Sequence, residues 1–131
     1  MIHNTANIYD SAIIGKGTKV GAFAEIGHGV EIGENCSIGF GVFIPENVKI
    51  KDNVFIGPGA VFTNDKYAPS KGKWRDEPPT IVGDGASVGA NSTILPNLII
   101  GHKAVIGAGS VVTKNIEPNT TVYGNPAKRV M

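Results

Sequence analysis

Large apolar residues recur along this chain every six positions. Ile2, Ile8, Ile14, Val20, Ile26, Ile32, Ile38, Ile44, Ile50, Ile56 and Phe62 form one unbroken run, and after an interruption the frame resumes at Val82, Val88, Ile94, Ile100, Ile106 and Val112. Only 36 of the 131 residues are Ile, Val, Leu or Phe. Filling all seventeen anchor positions by chance therefore has a probability of roughly ten to the minus ten, which makes the period a structural signal. A strict period of six fits neither the 3.6 of a helix nor the 2 of a simple strand. It predicts many short strands, each one edge of a repeating unit that stacks on its neighbours.

Two further positions follow the same frame. The residue after the anchor is often glycine, as at Gly15, Gly21, Gly27, Gly33, Gly39, Gly57, Gly83, Gly89, Gly101 and Gly107. The residue two before an anchor is small or β-branched, as at Ala6, Ala12, Thr18, Ala24, Val30, Cys36, Val42, Ala60, Ala86, Ser92, Ala104 and Ser110. The anchor is expected to fill the interior, the small residue to point inward where space is tight, and the glycine to serve a corner with a backbone conformation closed to other residues.

This pattern resembles the hexapeptide-repeat acyltransferase superfamily over nearly the whole chain. The resemblance implies an all-β, single-domain left-handed parallel β-helix spanning residues 1–131, with three hexapeptides per turn, about six coils and one extended loop at residues 63–79. At the usual strand spacing the column would be about 25–30 Å tall. Such arrays need capped ends, and the tail 113–131, with Pro118, Pro126 and a basic terminus, is expected to cap one of them.

Between Phe62 and Val82 the frame breaks, and residues 63–79 read TNDKYAPSKGKWRDEPP, with three prolines, seven charged side chains and the only tryptophan. A polar insertion of this length is more often functional than connective. Trp74, between Lys73 and Arg75, is costly to leave in water and is expected against a ligand or a neighbouring subunit; the alternative is a mobile surface loop. In the superfamily the loop reaches an adjacent subunit of a homotrimer, and acetyl-CoA lies in the cleft between subunits. The segment after the break resembles its CoA-binding half, on the combination of GAGSVV, a following lysine, and GNPA with a basic end. This implies Gly89, Ala90, Ala108 and Gly109 along the pantetheine, Lys114, Lys128 and Arg129 at the phosphates, and Pro126 against the adenine. The small residues are equally explained as plain corner residues, and the basic ones as isolated surface charges.

The acceptor is read from the residues entering the loop. Related enzymes acting on sugar or drug hydroxyls carry a histidine near the loop, because a neutral hydroxyl must lose a proton to attack a thioester. This loop has none; the three histidines are His3, His28 and His102, and the last two sit two after an anchor, where they should face outward. Instead DNVFIGPGAVFTND, with Arg75-Asp76 at the loop's end, resembles the sugar-nucleotide N-acetyltransferases that acetylate 3-amino sugars for surface polysaccharides. The matching positions are Phe62, Thr63, Asn64, Arg75 and Asp76. They imply an acceptor site at Phe62, Trp74 and Arg75, with Asn64 beside the amine and the thioester. An amine with a pKa of about 7.7–8.0 is already partly neutral and nucleophilic, so Asn64 need only orient it or donate to the oxyanion. Asp65 either accepts the amine's proton or is a turn residue. Enzymes of that kind usually have additional coils, and one related group carries an N-terminal nucleotide-binding domain; residues 1–131 are expected to hold neither.

Bulk properties exclude several other classes. Twelve basic against eleven acidic residues leave a net charge of +1, which offers no general field to nucleic acid or a membrane surface. The lone Cys36 precludes an intramolecular disulfide, no apolar stretch is long enough to span a bilayer, and MIHNTANIYD lacks the regions of a signal peptide, which points to the cytoplasm. No metal is expected. The same fold serves γ-type carbonic anhydrases, whose zinc takes three histidines, but His3, His28 and His102 are too far apart in frame to meet. The remaining alternatives are an O-acetyltransferase and a non-enzymatic trimeric scaffold.

Overall fold

In a computed structural model, which describes residues 1–130, the chain winds as a left-handed parallel β-helix of about six turns. Strands of mostly two residues stack in register eighteen residues apart: Ile8 lies beside Ile26, Ile14 beside Ile32 and Val20 beside Ile38. Three hexapeptides thus make one turn, and the column has three flat faces. The first face holds Asn7–Ile8, Glu25–Ile26, Phe43–Ile44, Val61–Phe62, Thr93–Ile94 and Val111–Val112. The second holds Ile13–Ile14, Glu31–Ile32, Val48–Ile50, Thr80–Val82 and Ile99–Ile100, and the third runs from Lys19–Val20 to the C-terminal tail.

The period explains the packing. Every anchor from Val20 to Val112 is buried, as are the small residues two before them from Thr18 onward, so the column has no interior space left for a ligand. The few inward hydroxyls are satisfied by the backbone: Thr18 Oγ1 donates to the Gly33 carbonyl at 2.6 Å and Ser110 Oγ to the Gly107 carbonyl at 2.6 Å, while Thr80 Oγ1 accepts from the Asn97 amide at 2.9 Å. At the N-terminal end Ile2 is exposed and Ile8 and Ile14 are only partly buried, because no coil lies beneath them.

The glycines after the anchors turn out to serve spacing and not conformation. A methyl at Gly15 would come within 2.5 Å of the Gly33 backbone, and one at Gly89 within 2.5 Å of the Ala108 amide, so successive coils stack too closely there for any side chain. The left-handed backbone occurs two residues later, three after most anchors, mainly at Gly17, Gly29, Gly41, Gly59, Gly85 and Gly109 and at Asn35, Asn47, Asn53, Asn91 and Asn97. Asparagine and glycine are the residues that adopt this conformation at least cost.

The loop enlarges one coil from eighteen residues to thirty-two, since Val61 pairs with Thr93 and Val48 with Thr80. Fourteen residues are therefore extra; the other three of the expected seventeen make an ordinary corner. Within the loop Lys73–Asp76 forms a single 3-10 turn. The last two strands lie at the C-terminal end of the column. Thr121–Gly124 adds a parallel strand to the third face, and Ala127–Arg129 folds back antiparallel on it, which ends the parallel array.

Candidate active site at the loop-bearing corner

The edge between the first and second faces carries one outward residue per coil, two after each anchor. Going up the column these are His28, Glu46 and Asn64, then, beyond the loop, Pro96 and Lys114. Stacking at eighteen-residue spacing makes neighbours of residues that look unrelated in sequence. Asn64 Nδ2 donates to the Glu46 carbonyl at 3.1 Å, which fixes the amide: its nitrogen faces the coil below. One Nδ2 hydrogen and Oδ1 remain for another partner.

Glu46 also holds the loop. Its Oε2 accepts from Arg75 Nε at 3.3 Å, and the Arg75 guanidinium lies 4.4 Å from the centre of the Trp74 ring. Asn47 Nδ2 donates to the Glu77 carbonyl at 3.2 Å and Asn97 Nδ2 to the Pro78 carbonyl at 2.6 Å, so the returning end of the loop is clamped to coils on both sides. Between loop and column opens a cavity of about 700 Å³, walled by Asn64, Asp65, Ser70, Trp74 and Asn97 among others. Asp65 Oδ2 accepts from the Ser70 amide at 2.9 Å, the turn role, while Asp65 Oδ1 and Ser70 Oγ are buried without partners.

Of the expected acceptor residues, Asn64, Asp65 and Trp74 meet in this cavity, and Arg75 is engaged by Glu46 and Trp74 at its edge. Phe62 does not join them. It is fully buried as a core anchor and has no surface to offer a substrate. Glu46 and Asn97 are functional candidates missed by sequence reasoning, although Glu46 lies one coil below Asn64 and Asn97 one coil above Asp65 in the frame, and both could have been found by counting along the repeat.

The expected cofactor residues fall into two places. Lys114, Lys128 and Arg129 converge on a depression of about 400 Å³ at the C-terminal end of the column. Gly89, Ala90, Ala108 and Gly109 stack on the edge between the third and first faces, where the Gly109 amide donates to the Ala90 carbonyl at 2.8 Å. That is a different edge of the column from the one bearing Asn64. Pro126 is exposed in the turn of the C-terminal hairpin.

The histidines remain apart. His28 is exposed on the loop-bearing edge, with Nδ1 against Ser11 Oγ, and shares a shallow depression with Glu46. His102 lies on the edge between the second and third faces, 3.5 Å from Asn119 Nδ2, and His3 bonds Thr5 Oγ1 at 2.9 Å. Among the described residues no three His, Cys, Asp or Glu groups stand close enough to hold a metal ion, and no helix is long and apolar enough to cross a membrane. Cys36 lies inside the column, its thiol bonded to the Lys51 carbonyl at 3.0 Å, and burial raises its pKa above the ordinary value, with the Asp52 charge adding to the effect.

The chain is 51% identical over 49 residues, 37% of its length, to the dTDP-3-amino-3,6-dideoxy-alpha-D-galactopyranose 3-N-acetyltransferase of Aneurinibacillus thermoaerophilus. It is 45% identical over 51 residues to a chloramphenicol acetyltransferase of Klebsiella aerogenes. These matches span only 26% and 24% of the two relatives. Among solved structures, the acetyltransferase domain of PglB from Neisseria gonorrhoeae, in complex with acetyl coenzyme A, superposes with a TM-score of 0.86 at 26% identity, covering 98% of this chain and 56% of that one. The six-repeat model of the bacterial transferase hexapeptide matches residues 11–46, 29–64 and 79–114, on both sides of the loop, and the chain belongs to that family.

Proposed function

We propose that the protein is an acetyl-CoA-dependent N-acetyltransferase that acts on the amino group of a nucleotide-linked amino sugar. The observation that carries this reading is the cavity between loop and column, where Asn64 is held by Glu46 with Oδ1 and one Nδ2 hydrogen free. Oδ1 accepts from the amine and orients its lone pair; the free N–H donates to the oxyanion that forms when the amine attacks the thioester carbonyl. The C–N bond forms, the C–S bond breaks, and coenzyme A leaves as the thiol with the amine's proton on sulfur. No histidine is required, because an amine that is partly neutral near pH 7 is already a nucleophile. The relative from Aneurinibacillus thermoaerophilus, which by name acetylates a 3-amino sugar on dTDP, and the acetyl-coenzyme A complex of the Neisseria domain support the two substrates.

The working unit in this reading is a homotrimer. Asn64 and the small-residue run Gly89, Ala90, Ala108 and Gly109 occupy different edges of one column, so a site that uses both needs the edge of one subunit to face the loop of the next. The edge between the third and first faces also exposes Phe23 and Phe40, edge to face at 5.7 Å, and Phe43 lies exposed on the first face; such a strip suits burial against another subunit. Lys114, Lys128 and Arg129 would then take the phosphates of the cofactor. The reading is tested by following thiol release from acetyl-CoA with a panel of nucleotide-linked amino and hydroxy sugars. Release with the amino sugars alone is the expected result. Acetylation of the hydroxy sugars instead would move the protein to the O-acetyltransferases, and release with neither would end the reading.

A further inference from the structure

The cavity between loop and column has a charge pattern that acetyl transfer to a simple amine does not call for. Three lysines, Lys66, Lys71 and Lys73, line it, all exposed and all within eight residues of sequence. Among the described residues the ion pairs are Glu31 with Lys49 and Glu46 with Arg75, so none of the three has a carboxylate partner. The acidic groups facing them are Asp65, whose Oδ2 is occupied by the Ser70 amide, and Glu77. Like charges gathered around a concavity repel one another, and the repulsion is relieved when an anion enters.

Two aromatic rings share the same wall. Tyr67 is 78% exposed, with Lys66 Nζ 5.5 Å from its centroid, and Trp74 carries Arg75 on one face. Each ring thus has a cation on one side and at most one face left for a planar group. A lysine-rich loop that served only solubility would have no reason to display these rings around a recess. The volume of about 700 Å³ is that of a pocket for a ligand of nucleotide size. At the root of the loop Asp65 Oδ1 and Ser70 Oγ are buried without protein partners.

From these observations we infer that the loop cavity is the subsite for a nucleoside diphosphate, the carrier portion of the acceptor, with Lys66, Lys71 and Lys73 around the diphosphate and Tyr67 and Trp74 offering a ring face to the base. The inference rests on the acceptor being nucleotide-linked and assigns where the nucleotide is held. It makes the loop the reader of the carrier, while Asn64 at its root meets the amine.

Trp74 is the only tryptophan, so its fluorescence reports on the cavity directly. Titrating the full chain with thymidine diphosphate should change the emission saturably. The affinity should fall as salt is raised, because exposed charges are screened, and thymidine without phosphates should bind at least tenfold more weakly. Combining Lys66→Ala, Lys71→Ala and Lys73→Ala should weaken diphosphate binding at least tenfold and raise the KM of the nucleotide-linked amino sugar, with the KM of acetyl-CoA unchanged. The matching triple arginine variant should retain binding. Coenzyme A also carries a diphosphate, so the titration is repeated with the protein saturated in coenzyme A. Undiminished thymidine diphosphate binding supports the acceptor subsite, and displacement by coenzyme A overturns it. Equal affinity of the alanine variant and the unaltered protein for thymidine diphosphate also sinks the inference, even if acetyl transfer proceeds normally. Diphosphate binding without acetyl transfer to any amine would instead overturn the proposed function and leave the subsite standing.

Discussion

Replacing Asn64 with alanine separates structural from chemical loss. The side chain makes one hydrogen bond to the column, to the Glu46 carbonyl at 3.1 Å, in a partly buried setting. Losing it costs about 0.5–1.5 kcal/mol of stability, which lowers Tm by a few degrees and leaves the protein folded at 25 °C. If Asn64 also donates to the oxyanion, the same substitution removes about 3–4 kcal/mol of transition-state stabilisation, or roughly 100- to 1000-fold in turnover. The kinetic effect therefore exceeds the stability effect, and the two are measured separately: kcat and KM by thiol release, Tm by circular dichroism. We expect kcat to fall about a hundredfold or more with the KM of acetyl-CoA little changed. His28→Ala and His102→Ala serve as controls, each within a few-fold of the unaltered enzyme. His28 is exposed and bonded to Ser11, and His102 stands on another edge. An inactive histidine variant beside an active Asn64→Ala would mean general-base chemistry, and the assignment of an amine acceptor would be withdrawn.

Other expectations follow from the column. Gly57→Ala places a methyl 2.6 Å from the Ala90 backbone amide and should cost about 1–3 kcal/mol as overpacking, whereas Gly41→Asn, at φ +67 with nothing within 4 Å, should be nearly neutral; comparable urea midpoints for the two would contradict the spacing argument. Cys36 should resist alkylation in the folded protein and react on unfolding. Because its folded pKa is raised, stability should be unaffected by this group at low pH and decline as pH rises past the unfolded thiol's value of about 8.5; an unchanged urea midpoint between pH 8 and 10 for the unaltered protein relative to Cys36→Ala would contradict this. Light scattering should give the mass of three chains, and a monomer at micromolar concentration would remove the shared-site geometry.

The repeat made the column legible because a single periodicity sets which residues point inward: every anchor from Val20 to Val112 is buried as its position requires. The corners were harder. Glycine after the anchor looks like a conformational residue until the neighbouring coil is seen pressing on it at Gly15 and Gly89, and the true left-handed position is partly hidden because Phe23 and Lys103 also occupy it. The loop carries no period, so nothing in its sequence says that Arg75 reaches Glu46 or that Asn97 holds Pro78. Phe62 matched a motif by type, yet its frame position already marked it as core. The division of Gly89 and Asn64 between two edges follows from counting in threes, a step that local motif reading omits.

The enlarged coil closes on the same neighbours as an ordinary one, Val61 on Thr93 and Val48 on Thr80, as though the fourteen extra residues were absent. The entropy of closing a loop rises only slowly with its length, so the column is nearly indifferent to what is spliced in at that edge. Heredity can then act on the two parts at different rates. The repeat can be held by packing while the insertion is lengthened, shortened or exchanged to accept a new acceptor, and a protein engineer could transplant the segment between columns without redesigning either.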